Sequence, residues 1–168
     1  MSSVLKVDAI QNTAGTSALT IDSSGRVTKP QHPSFMVNYN VTWESLALNA
    51  VVPFDTDSGG ALFNNGNHFN TSTNAFVAPV AGVYSFSLNI YTANSDTANT
   101  FGPFLNGSAV QLVGAGLYVQ HGEDSAADET ASTTFLLNLA LNDSVKIHAL
   151  GTSDIYGRAS TFCGHLIG

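Results

Sequence analysis

The nine residues VYSFSLNIY, 83–91, alternate between large apolar and small polar side chains without a break. In an extended chain Tyr84, Phe86, Leu88 and Ile90 share one face, and Ser85, Ser87 and Asn89 share the other. Helical winding would scatter the four apolar groups around the axis, so the segment has to be a strand that gives one face to a core. Its hydroxyl and amide face is left to solvent or to a neighbouring subunit. The approach to the strand is equally explicit. HFNTSTNAF, 68–76, supplies Asn and Thr for a connection, and Pro79 with Gly82 makes a tight turn before alternation begins.

Short alternating runs separated by Gly, Asn, Asp, Ser and Pro predict further strands, and helical spacing is almost absent. The expected strands are 35–39, 51–54, 76–77, 82–91, 101–105, 108–119, 131–139, 144–149 and 160–167. So many short strands predict an all-β sandwich of two sheets, each strand burying every second side chain. Tyr84, Phe86, Phe135 and Phe162 are expected in or beside the core or an assembly axis.

TKPQHPS, 28–34, carries two prolines and a change of composition, which marks a boundary. Before it lie two β-prone pieces, 4–10 and 18–21, with the turn signals NTAGTS and DSSGR. Their few apolar residues cannot make a core of their own. The chain thus divides into residues 1–30, an attachment or oligomerisation segment, and residues 31–168, the sandwich domain. The first part is expected to be dispensable for folding of the second.

Charge narrows the partners. Only 10% of the residues are charged, well under the usual quarter, so the surface is clothed in Asn, Ser, Thr and Gly. Five Lys or Arg stand against twelve Asp or Glu, for a net charge of -7, and the basic residues are scattered. No basic patch is available for phosphates, which argues against nucleic acid. No apolar run reaches the roughly eighteen residues of a helical membrane span, and the opening MSSVLKVDAIQ lacks the pattern of a secretion signal. Cys163 is the single cysteine, so an internal disulfide or a multi-cysteine zinc site is excluded, and it reads as a small buried hydrophobe.

Several stretches together carry a family resemblance. GNHFNTSTNAFVAPVAGVYSFSLNIY, then FLNGSAV, then TTFLLNLALNDSVKIHA, and last IYGRASTFCGHLIG follow one another in the order found in the globular head of complement component C1q and its tumour-necrosis-factor-like relatives. The likeness covers about residues 34–168. It departs at Asn142-Asp143, where the family often has Gly-Asp, and at Cys163 and His165, where it often has Ser and Phe. The resemblance implies a ten-stranded jelly-roll sandwich, a tight homotrimer, binding through exposed loops, and no catalysis. The leading segment, SSVLKVDAIQNTAGTSALTIDSSGRVT, is similar to the amino-terminal segments of fibre and appendage proteins of marine bacteriophages. Together the two imply a non-catalytic virion structural protein, made in the host cytoplasm and carried on the particle. Its partners would be other virion proteins and a glycan or protein of the host surface. A capsid decoration protein and a free carbohydrate-binding module are the alternatives.

Chemistry-bearing residues are sparse. The five histidines contain no pair at metal-ligand spacing, and no HExxH or GxSxG pattern occurs. HGEDSAADET, 121–130, is the one acidic cluster; Glu123, Asp124, Asp128 and Glu129 could bind calcium if three copies converged near a trimer axis. Calcium is then an optional extra, and no cofactor is required. His121, at the head of that loop, is a candidate contact residue. Trp43, Tyr118 and Tyr156 are the candidates for an exposed aromatic platform that could take a sugar. Asn-x-Ser/Thr occurs at Asn40, Asn70, Asn106 and Asn142, a frequency that Asn and Thr content alone explains. The GAG at 114–116 lacks the following helix of a phosphate loop.

Overall fold

The computed structural model describes residues 5–92, 99–112, 115–121 and 128–167. The described residues form strands joined by turns, with one 3-10 turn at Gly157–Ala159 and no α-helix. In chain order β1 (Ala9–Gln11), β2 (Ser17–Ile21) and β3 (Val27–Thr28) come first. They are followed by β4 (Ser34–Asn38), β5 (Glu44–Leu46), β6 (Phe63–Asn65), β7 (Phe69–Asn70), β8 (Ala75–Val77) and the long β9 (Gly82–Thr92). The second half holds β10 (Asn99–Leu105), β11 (Ser108–Ala109), β12 (Gln111–Leu112), β13 (Ala115–Gly116), β14 (Val119–His121) and β15 (Glu129–Leu139). It closes with β16 (Ser144–Ala149), β17 (Ser153–Ile155) and β18 (Thr161–Leu166).

Two antiparallel sheets face each other as the expected jelly-roll sandwich. One runs β15-β9-β18-β4-β6; the other runs β11-β10-β16-β8-β7, with β14 also paired to β10. Along β9 the side chains that alternation assigns to the core are buried and the intervening ones are not, position by position. The same register holds across the sheet: Phe86 lies opposite Phe135 on β15 and Gly164 on β18, and Phe35 on β4 lies opposite Gly164.

The core is aromatic. Phe86 has ring neighbours at 5.5 Å (Phe135), 5.6 Å (Phe76) and 5.7 Å (Phe162), and Phe76 belongs to the opposite sheet. Tyr84, Phe86 and Phe162 are fully buried and Phe135 nearly so, as expected. Tyr84 keeps its polar end satisfied by donating to the Val80 carbonyl at 2.9 Å, and burial pushes its phenol up from the usual range. Gly164 sits under this cluster because nothing larger fits: a Cβ there would come within 2.6 Å of the Phe86 ring and 2.8 Å of the Phe35 ring.

Turn chemistry fixes the register elsewhere. Asn106-Gly107 joins β10 to β11 with both residues at positive φ, the backbone that a two-residue hairpin requires. Asn106 also ties this hairpin to the turn before β16, donating to Asp143 at 2.8 Å and accepting from the Ser144 amide at 2.9 Å. The bond from Asn106, with one from the Ala140 amide at 2.8 Å, holds the Asp143 carboxyl below its ordinary range.

Two expected strands change form. Residues 51–54 make one bridge, Val51 to His148, because Pro53 has no N–H to continue a ladder and Phe54 instead bonds back to the Val52 carbonyl at 2.9 Å. The run 108–119 is broken into β11, β12, β13 and the start of β14. Strands β5, β6 and β17, which alternation did not single out, are short pieces at the sandwich margin.

The leading segment forms its own three-stranded sheet, β1-β2-β3, in which no residue is buried. Its turns are locked by side chains: Asn12 Oδ1 accepts from the Ala14 and Thr16 amides, and Asp22 Oδ1 from the Ser24 and Arg26 amides. Arg26 also pairs with Asp22 at 2.7 Å, and its hydrogen bonds keep that carboxyl below the usual value.

Candidate functional site

Strands β5 and β17 lie opposite each other at one end of the sandwich, pairing Ser45 with Asp154 and Glu44 with Ile155. Just before β5 the chain presents Trp43; just after β17 it presents Tyr156. The Tyr156 amide donates to the Tyr91 carbonyl at 2.8 Å, which brings the end of β9 into the same place. Three rings meet there: Trp43 to Tyr156 at 5.0 Å, Tyr91 to Tyr156 at 5.7 Å and Trp43 to Tyr91 at 5.8 Å. Beside them is an open cleft of about 270 Å³ lined by Trp43, Glu44, Ser45 and Asp154.

Buried Ser160 holds the two tyrosines. Its hydroxyl accepts the Tyr91 amide at 3.0 Å and donates to the Tyr156 carbonyl at 2.9 Å. Trp43 nevertheless keeps 42% of its surface exposed although two rings pack against it. Of the expected aromatic platform, the fold unites Trp43 and Tyr156 and adds Tyr91, which alternation had placed only as the end of a strand. Tyr118 is separate. It follows β13 on the outer side of the other sheet, its Cα 3.6 Å from where a Gly102 Cβ would stand, and no ring contact joins it to the cluster among the described residues.

The acidic loop lies largely beyond description. Glu123 and Asp124 fall outside the described residues, as does the His121 side chain; His121 itself closes β14 opposite Asn99. Glu129 opens β15 opposite Thr92. Among the described residues no group of three or more His, Cys, Asp or Glu could hold a metal ion.

A second feature is a whole sheet face. The outward row of β9 is Ser85, Ser87 and Asn89; beside it β15 presents Thr130, Ser132, Thr134, Leu136 and Asn138, and β18 presents Thr161, Cys163 and His165. Beyond these, β4 adds Ser34, Met36 and Asn38 and β6 adds Phe63 and Asn65. No Asp, Glu, Lys or Arg occurs at any of these positions. Cys163 is therefore half-buried on this face, not in the core, and burial raises its thiol above the ordinary range. Leu136 and Phe63 are 59% and 41% exposed.

The model of the C1q domain matches residues 34–167. Over 142 residues the chain is 29% identical to Complement C1q and tumor necrosis factor-related protein 9 of Mus musculus, covering 80% of this chain and 38% of that protein. The chain thus spans well under half the length of that relative. Among solved structures, the globular domain of zebrafish complement 1qA protein superposes with a TM-score of 0.62 at 19% identity, over 82% of this chain and 98% of that one. The structure of Eiger TNF from S. frugiperda gives 0.62 at 10% identity, over 82% and 94%. Likeness at these identities speaks for the jelly roll alone, and the match over residues 34–167 goes further: the chain belongs to the C1q domain family.

Proposed function

We propose that this chain is the non-catalytic binding head of a homotrimeric virion appendage, with residues 1–30 as the attachment segment and 31–168 as the head. Domains of this family typically form homotrimers. The observation that carries the reading for this chain is the uncharged face of the five-stranded sheet. A face of hydroxyls and amides with interspersed Leu136, Met36 and Phe63 is desolvated at less cost than a charged one, because no ion has to leave water and its polar groups can re-form hydrogen bonds across the contact. Packed around a threefold axis, such faces turn a weak single contact into avid binding by repeating each loop three times.

The virion role is supported by the likeness of residues 2–28 to phage appendage segments and by a β-sheet there that buries nothing of its own. Such a segment is suited to docking on a partner. Calcium enters this account only as an extra ligand for the carboxylates of residues 121–130. Immunogold labelling of purified particles tests the placement. Label on appendages supports it, label over the shell replaces it with capsid decoration, and absence of the polypeptide from particles removes the virion role.

A further inference from the structure

We propose that the Trp43 cleft is a subsite for a non-anionic sugar, with the apolar face of one pyranose ring packed against the exposed part of the indole. This rests on the binding-head reading and names what one of its surfaces takes. Neighbouring hydroxyls of the sugar donate to Glu44 and Asp154. The three rings touch one another at 5.0 to 5.8 Å, so no group fits between them, and the exposed part of Trp43 is the surface they offer.

Bracing by Tyr91 and Tyr156, themselves pinned by Ser160, fixes that surface before any ligand arrives, which lowers the ordering cost of binding. The acceptors are equally set. Glu44 Oε2 takes the Tyr39 hydroxyl and Asp154 Oδ1 takes the Ser45 hydroxyl, while Glu44 Oε1 and Asp154 Oδ2 accept nothing from the described residues. An ionised carboxylate only accepts, so its complement is a donor such as a sugar hydroxyl. Two carboxylates in a cleft of this size also repel an acidic sugar. A volume of about 270 Å³ suits one ring and not an extended chain.

Trp43 is the single tryptophan, so its emission reads this site alone. The full chain is titrated with the methyl glycosides of glucose, galactose, mannose and N-acetylglucosamine, and with sialyllactose. A saturable change is expected with at least one neutral glycoside, half-complete on the order of 1 to 10 mM, and none with sialyllactose. Glu44→Gln and Asp154→Asn, which retain the fluorophore, should each weaken binding about tenfold. Silence toward all four neutral glycosides, an equal response to sialyllactose, or unchanged affinity in both carboxylate variants would overturn the assignment. Trp43→Ala separates the two readings. A variant that keeps its assembled mass and still coats cells as the parent does sinks the subsite and leaves the binding head standing.

Discussion

The two sheets of the sandwich share one core and finish their outer surfaces differently. On the six-stranded sheet a segment of the chain lies over β10: the Leu117 carbonyl is 2.6 Å from where a Gly102 Cβ would be. On the same side Lys146 and His148 face outward, His148 stacked on Phe104 with ring centroids 3.9 Å apart and bonded to the Asn49 carbonyl at 2.9 Å. The outward positions of the five-stranded sheet, among the described residues, carry no Asp, Glu, Lys or Arg. A face stripped of charge is the one on which the proposed trimer packs.

The core beneath both faces gives the largest expected effect. Phe86 touches rings from both sheets, so Phe86→Ala should cost about 3 to 5 kcal/mol in chemical denaturation. A loss under about 1 kcal/mol would mean that the two sheets do not depend on a common core.

The covered face can be broken more gently. Gly102→Ala places a methyl against the Leu117 carbonyl and the Leu150 side chain, 2.6 and 2.9 Å away, and should cost about 1 to 3 kcal/mol by displacing the covering segment. Equal stability of the variant, measured by the same denaturation, would show that the cover is loosely laid.

The smallest effect is on pH. Burial, opposed by the Asn49 carbonyl and aided by nearby Lys146, holds His148 below the ordinary histidine range, and burial does the same to His68. Both are then neutral in the fold while the unfolded chain still takes up protons below about pH 6.5. Stability is therefore undiminished above that value and declines as pH falls beneath it. Replacing both by Gln should flatten this part of the melting-temperature profile, whereas an unchanged slope would place its origin in the carboxylates.

How much of this was legible beforehand differs by residue. The alternation in VYSFSLNIY fixes the core row of β9, because a period of two leaves no other arrangement, and it also revealed the outward polar row. Residues 51–54 misled, since alternation carries no information on a missing amide and Pro53 removes the one that a strand needs. Trp43 and Tyr156 could be picked out as aromatic residues in turn-rich segments. Their meeting could not, because it depends on the pairing of β5 with β17, two three-residue strands far apart in sequence. Tyr91 was hidden for a related reason: as the last outward residue of β9 it continues the polar row, and only the turn at Gly157–Ala159 brings Tyr156 against it. Cys163 read as a core residue because its neighbour Phe162 is one. In a strand, neighbours point to opposite faces.

The uncharged face is tested most directly by mass in solution. Light scattering at micromolar concentration should give three times 17.5 kDa for the parent chain. Ser87→Glu, which sets a carboxylate beside Thr134 at the middle of the uncharged face, should reduce it to a single 17.5 kDa chain, while Lys146→Glu on the covered sheet should leave the trimer intact. A monomeric parent, or a Ser87→Glu variant as trimeric as Lys146→Glu, would contradict the account.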